Sequence, residues 1–241
     1  MLSRDQKWMP GIVGISTYVD YVYQKELQLA ALAAAGGEGP INQLRTATVT
    51  LDFNRLIVNL QAGQRDAAIE QVTGAVQALA AAGADFVVVT SGTTSTLTVG
   101  ARKKVSIPFL DLGEATWREV PQATGPVGIL ATSYAAAGGI FQAPALRYGR
   151  TVVLPSQNAQ RDADEVIFRE LVRGEVSKRV LAVLRTAIAE LARLGAASVI
   201  LGNTDMSLAA SELQKTSPVP LIDSARAHAR AAARAALAGH I

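Results

Sequence analysis

Six short runs rich in β-branched residues punctuate the chain, each bounded by Gly, Pro or polar clusters. They are GIVGIS (11–16), ATVTL (47–51), FVVVT (86–90), VGILAT (127–132), TVVLP (151–155) and SVILG (198–202). Between several of them the apolar period becomes helical. Ile69, Val72, Val76 and Leu79 recur at i, i+3, i+7 and i+10 and so share one face of an amphipathic helix, which predicts packing on a sheet. Leu181, Leu184, Ile188 and Leu191 repeat that spacing, each 112 residues after its counterpart.

The same offset pairs Gly83-Ala84 with Gly195-Ala196, FVVV with SVIL, Ser91 with Asn203 and Pro108 with Pro220. GIVGIS also echoes GPVGILAT, at an offset of 114 from Gly11 to Gly125. The repeat predicts an α/β chain of two pseudo-symmetric, doubly wound parallel-sheet domains. The first half is expected at 1–114 plus 209–241 and the second at 115–208, with the last helix, Ser224 to Leu237, returning to the first half. Ligands of open parallel sheets sit beyond the carboxyl ends of the strands, so the active cleft is expected between the halves, with TSGTTS and GNTDMS across it.

Composition narrows the chemistry. With 241 residues, 49% hydrophobic and 18% charged, the chain can build its own core and is not disordered. It has no cysteine, which removes disulfides, thiolate zinc sites, iron–sulfur clusters and thiol bases. A formal charge of +3, with no long basic run and no RNA-binding aromatic motif, argues against nucleic acid as a partner. No stretch of about eighteen apolar residues suggests a membrane span, and the opening MLSRDQKWMPGIVGIS lacks a secretory core, so a cytoplasmic protein is expected. GxGxxG and GxxxxGK[ST] are both missing, which counts against nucleotides. His228 and His240 are the only histidines, too few for a metal site or a Ser/His/Asp triad. No metal and no cofactor are expected.

Two polar loops remain. Thr90-Ser91-Gly92-Thr93-Thr94-Ser95 offers hydroxyl and backbone donors to an oxyanion or carboxylate, although the same residues suit helix capping. Gly202-Asn203-Thr204-Asp205 stands at the equivalent repeat position, which favours a shared ligand site. Asp205 fits a cap better than a general acid or base. Arg226, Arg230 and Arg234, four apart, read as a solvated face.

These segments together resemble the cofactor-independent aspartate/glutamate racemase superfamily, whose relatives include hydantoin racemases, maleate isomerases and arylmalonate decarboxylases. GIVGIS resembles its opening strand, LDF (51–53) its second-strand motif and GADFVVVTSGTTS its first active-site strand. VGILAT resembles the opening of its second half, GAASVILGNTDMSL its second active-site strand, and SPVPLID with His228 its closing strand and helix. The resemblance implies two pseudo-symmetric domains and two cysteines that exchange a proton on opposite faces of the substrate. Ser91 and Asn203 stand at those two positions here. Gly92 replaces the usual Asn, Ser95 a frequent His, and Ala135 and Ala136 a frequent carboxylate-binding Thr.

An amide cannot take a proton near neutrality as a tuned thiol can, so two-base racemisation is not expected. By position, Ser91 and Asn203 are expected to face the reacting carbon. Gly92, Thr93 and Thr204 would bind carboxylate or enolate oxygens, and Ser16, Thr17, Thr132 and Ser133 would complete the walls. Asp52 and Asp205 would stand behind them. The implied activity is non-thiol chemistry on a small carboxylate, as an isomerase, lyase or cyclase, in a chain expected to form a homodimer. The alternatives are a non-catalytic small-acid binder and, third, a racemase or epimerase with unusual bases.

Overall fold

In the computed structural model, which describes residues 6–34, 43–122 and 125–241, all six β-rich runs contain strands. They are β1 (Pro10–Gly14), β2 (Ala47–Thr50), β3 (Phe86–Val89), β4 (Val127–Leu130), β5 (Val152–Val153) and β6 (Ser198–Leu201), with β7 (Leu221–Asp223) as a seventh. Among the described residues every strand pairing is parallel, in two sheets ordered β2-β1-β3 and β5-β4-β6-β7. The chain is an α/β protein built on two parallel sheets.

Unit 1 takes residues 1–90, 97–111 and 228–241. Its central strand β1 is buried along its whole length, as is β3, which is why both read as continuous apolar runs, whereas the edge strand β2 alternates between half-buried and exposed positions. The helix Arg65–Ala81 buries Val72, Val76 and Leu79 in a core with Val13, Val87 and Val89, and Ile69 packs at its margin. Gly83, at φ +88°, turns the chain out of that helix while Ala84 N–H reaches back to Leu79 O at 3.0 Å. Val87 then makes a parallel bridge to Phe109.

Unit 2 takes residues 91–96 and 112–227. The helix Lys178–Arg193 buries Val180, Leu184, Ile188 and Leu191, with Leu181 at the margin. Gly195, at φ +93°, ends it with the same back-bond, Ala196 N–H to Leu191 O at 3.0 Å. Residues 209–227 group with this unit rather than with the first half, as the repeat predicts for 209–241, because β7 pairs along β6 from Val199↔Leu221 to Leu201↔Asp223. Residues 228–241 do fall in unit 1, where Lys7 and Trp8 N–H both donate to Ala236 O at 3.0 Å.

The repeat is visible in the pairing itself. Val87↔Phe109 in unit 1 and Val199↔Leu221 in unit 2 are the same pair displaced by 112 residues. The 114-residue echo of GIVGIS does not hold, because Gly125 lies before β4 at φ +132°. Gly11, which pairs with Val87, corresponds instead to Gly128, which pairs with Val199. Both glycines make room for the repeat leucine. A β-carbon on Gly11 would stand 3.2 Å from Leu79 Cβ, and one on Gly128 3.1 Å from Leu191 Cβ.

Candidate active site

Unit 2 gathers the two polar loops. Leaving β3, Ser91 is extended and caps the short helix Gly92–Ser95, its Oγ accepting Thr94 N–H at 3.2 Å. Ser95 Oγ donates to Ser91 O at 2.7 Å and Thr96 Oγ1 to Thr93 O at 2.8 Å, which fixes the loop from within. Gly92 presses against the other loop: a β-carbon there would lie 2.6 Å from Gly202 O. That close approach explains why the asparagine expected from the resemblance has no place at Gly92.

Beyond β6, Asn203 Oδ1 accepts Asp205 N–H at 3.1 Å and its Nδ2 faces Asp205 Oδ2 at 3.4 Å. Ser91, Asn203, Thr204 and Asp205 are all buried. Thr132, at the end of β4, caps the helix Ser133–Ala137 by accepting Ala135 N–H at 3.2 Å, and its hydroxyl meets Thr93 Oγ1 at 2.9 Å. Whichever of the two threonines donates in that pair, the proton of the other is left for a further acceptor. Thr94 Oγ1 is fully buried and has no hydrogen-bond partner among the described residues.

Two further side chains at these strand ends were not singled out by the sequence. Asp164 accepts Ser133 N–H through Oδ1 at 3.1 Å and also Gln160 Nε2 at 3.0 Å. Asp223, the last residue of β7, accepts Ser207 Oγ at 2.5 Å and pairs with Arg226 Nε at 3.1 Å. Arg226, expected on a solvated face, is half-buried in this ion pair; in unit 1, Arg230, also half-buried, stands 3.7 Å from Glu26.

The remaining expected residues lie in unit 1. Ser16 is half-buried, Thr17 is exposed at the first position of the helix Thr17–Ala34, and Asp52 is an exposed cap that accepts Arg55 N–H at 3.0 Å. The sequence reading passed over Asp20 in this unit. Its Oδ1 accepts Thr90 Oγ1 at 2.7 Å and Ile15 N–H at 3.2 Å, and the Thr50 hydroxyl and Ser16 N–H also donate to it. Burial raises its carboxyl above the ordinary value, against the pull of those four hydrogen bonds. A carboxylate embedded in the apolar run TYVDYVY was the available signal.

His228 is a core histidine, fully buried. It accepts Tyr23 O–H through Nδ1 at 2.9 Å and donates from Nε2 to Leu110 O at 3.1 Å, a neutral tautomer that burial holds at a pKa of about 4. No group of three or more candidate metal ligands occurs among the described residues, and no helix among them is long and apolar enough to cross a membrane. A cavity of about 370 Å³ lies at the opposite end of β4 and β5, lined by Trp117, Arg118, Tyr148 and Arg150 among others. It shares no residue with the polar loops.

Residues 27–232 match the family model described as Asp/Glu/hydantoin racemase. Among solved structures, a candidate Asp/Glu racemase from Yersinia pestis is similar at 22% identity and a TM-score of 0.79, over 95% of this chain and 99% of that one. An aspartate racemase homologue from Pyrococcus horikoshii gives 21% and 0.73 over 95% and 99%, and the Picrophilus torridus aspartate racemase 18% and 0.74 over 95% and 94%. Identities of this size speak to the fold and leave the reaction open.

Proposed function

Because the chain belongs to the Asp/Glu/hydantoin racemase family, we propose that it acts on a small carboxylic acid by cofactor-independent, non-thiol chemistry of the isomerase, lyase or cyclase type. The observation that carries this reading is the make-up of the two loops in unit 2. Within 90–96 and 202–208 the donors are hydroxyls and one amide, and Asp205 is the only side chain with an ordinary acid–base role. A reaction that passes a proton between two bases needs two such groups. One that sheds carbon dioxide needs stabilisation of the carbanion left behind and one returning proton, and one that expels a leaving group needs a single base to take one proton as the group departs with its electron pair.

Ser91 fits the stabilising role, because its Oγ accepts Thr94 N–H and keeps its own proton to donate. Asn203 Nδ2 and the spare proton of the Thr93–Thr132 pair supply further donors. Preorganised donors of this kind are each worth about 3–4 kcal/mol in the transition state. Thr204 belongs to the same loop, and Asp205 orients Asn203. The reading rests on unit 2 and makes no use of Ser16 or Thr17. It includes a homodimer, which light scattering on the purified protein checks.

A non-catalytic small-acid binder is the second reading, favoured by one observation. Ser91, Thr132 and Asn203 each already satisfy a backbone N–H of the segment that follows. Proton NMR in D₂O separates the two. The protein is incubated with aspartate, glutamate, hydantoins, substituted malonates and maleate while α-proton exchange and product peaks are followed. Product without α-proton exchange supports the proposal, and exchange alone restores a racemase. Binding without any turnover leaves the binder.

A further inference from the structure

The cavity at the far end of β4 and β5 holds two arginines and no carboxylate among its lining residues. Arg150 is half-buried, and neutral groups hold its guanidinium: one terminal nitrogen donates to Pro121 O at 3.0 Å and the other to Gly125 O at 3.1 Å. Its remaining N–H groups have no acceptor among the described residues. Arg118 is exposed, and its side chain makes no hydrogen bond or ion pair among the described residues. A cation partly withdrawn from water is costly without an opposite charge, and a guanidinium fork matches the oxygens of a carboxylate or phosphate.

The same wall carries a pair of rings. Trp117, 2% exposed, closes the helix Leu112–Trp117 and is fixed by donation from Nε1 to Phe141 O at 2.7 Å. Tyr148 stacks on it, with centroids 5.9 Å and planes 19° apart, yet is itself 39% exposed and so keeps ring surface for a further partner. Gly149, at φ +61°, turns the chain between Tyr148 and Arg150, and Arg150 N–H reaches back to Ala145 O at 3.0 Å. Ring and guanidinium therefore come from one fixed turn. A volume of about 370 Å³ is that of a small-molecule site.

We propose that this cavity is a second binding site, separate from the polar loops, for a small anion that joins a carboxylate or phosphate to a flat ring, with Arg118 and Arg150 on the oxyanion and Tyr148 against the ring. The charge and the stack select together: an anion without a ring loses the stack, and a neutral ring leaves both guanidinium groups without a counter-charge. The proposal does not depend on the small-acid reading of the loops.

Trp8→Phe leaves Trp117 as the sole tryptophan, so its fluorescence reports on the cavity. Titration with benzoate and with phenyl phosphate is expected to quench it saturably, and the tighter of the two identifies the oxyanion. Calorimetry on the unaltered protein with the same two probes should give the same affinities. The favoured probe should bind at least about threefold more tightly than its counterpart without a flat ring, cyclohexanecarboxylate or inorganic phosphate. Arg118→Gln, at an exposed side chain, is expected to weaken it about tenfold at an unchanged melting temperature, and raising the salt from about 20 to about 300 mM should weaken it in the unaltered protein. Asn203→Ala, in the polar loops, should leave it alone. The proposal is overturned if neither probe saturates, if the counterpart without a flat ring binds as tightly, if Arg118→Gln leaves the affinity unchanged, or if Asn203→Ala abolishes binding.

Discussion

Replacing His228 with glutamine gives a stability measurement whose pH dependence follows from one buried ring. In the folded chain the imidazole is fully buried between Tyr23 O–H and Leu110 O, with its pKa lowered to about 4, whereas an unfolded chain returns it to about 6.5. Between those values the unfolded state binds a proton that the folded state refuses. Stability is therefore fully present above pH 6.5 and falls as the pH drops toward 4. Each pH unit in that window is worth about 1.4 kcal/mol, so passing from pH 7.5 to 4.5 removes about 2–3 kcal/mol through this group alone. Glutamine retains a donor and an acceptor but does not titrate. Urea unfolding of both proteins at pH 7.5, 6.5, 5.5 and 4.5 gives the difference curve, in which His240 and the carboxylates common to both cancel. The stability of the unaltered protein relative to the variant should fall by about 2–3 kcal/mol on acidification. Parallel curves would refute the claim that burial keeps the ring neutral.

Asp20→Asn should show the opposite slope. A carboxyl raised by burial is most stabilising when protonated, so the unaltered protein should gain on the variant as the pH is lowered through the raised pKa, and urea melts that show it losing ground would reverse the assignment. Gly92→Ala places a methyl 2.6 Å from Gly202 O and should cost about 1–3 kcal/mol in thermal or urea unfolding; a neutral change would mean that the two loops are not pressed together. Asn203→Ala should reduce turnover of whatever acid the panel identifies by about 100-fold or more, while stability falls by about 1 kcal/mol for the lost cap. An unaltered rate would remove Asn203 from the anion-stabilising set.

Strand positions were legible because both sheets are parallel, so the fully buried strands β1, β3, β4 and β6 appear as largely apolar runs, while β2 shows itself by β-branched residues. The helix faces were legible for the same reason, since Val72, Val76 and Leu79 and their counterparts Leu184, Ile188 and Leu191 face the cores they were expected to build. The 112-residue offset survived down to individual strand pairs. The separate 114-residue echo failed at Gly11, where similar letters lay near Gly125 but the packing of Leu79 and Leu191 selects Gly128. Asp164 was not legible, because its bonds to Ser133 N–H and Gln160 follow no motif, and of the bonds of Asp223 the one to Ser207, sixteen residues away, leaves no trace in spacing, whereas the ion pair with Arg226 is an i,i+3 neighbour. Asp20 gave a signal in composition, but only the convergence of Ile15, Ser16, Thr50 and Thr90 shows what holds it.

The division of unit 1 into separated stretches of chain has a consequence for synthesis. Residues 1–111 leave the ribosome before residues 112–227 of unit 2 are made, yet Tyr23 and Leu110 do not meet His228 until residues 228–241 follow. At about 5–20 residues per second that delay is roughly 6–23 s, during which the Tyr23 hydroxyl and the Leu110 carbonyl lack their partner. Unit 1 must wait in an incomplete, aggregation-exposed state for its own last stretch, residues 228–241. A chaperone that holds nascent chains over such a delay would raise the yield of this protein more than one that acts after release.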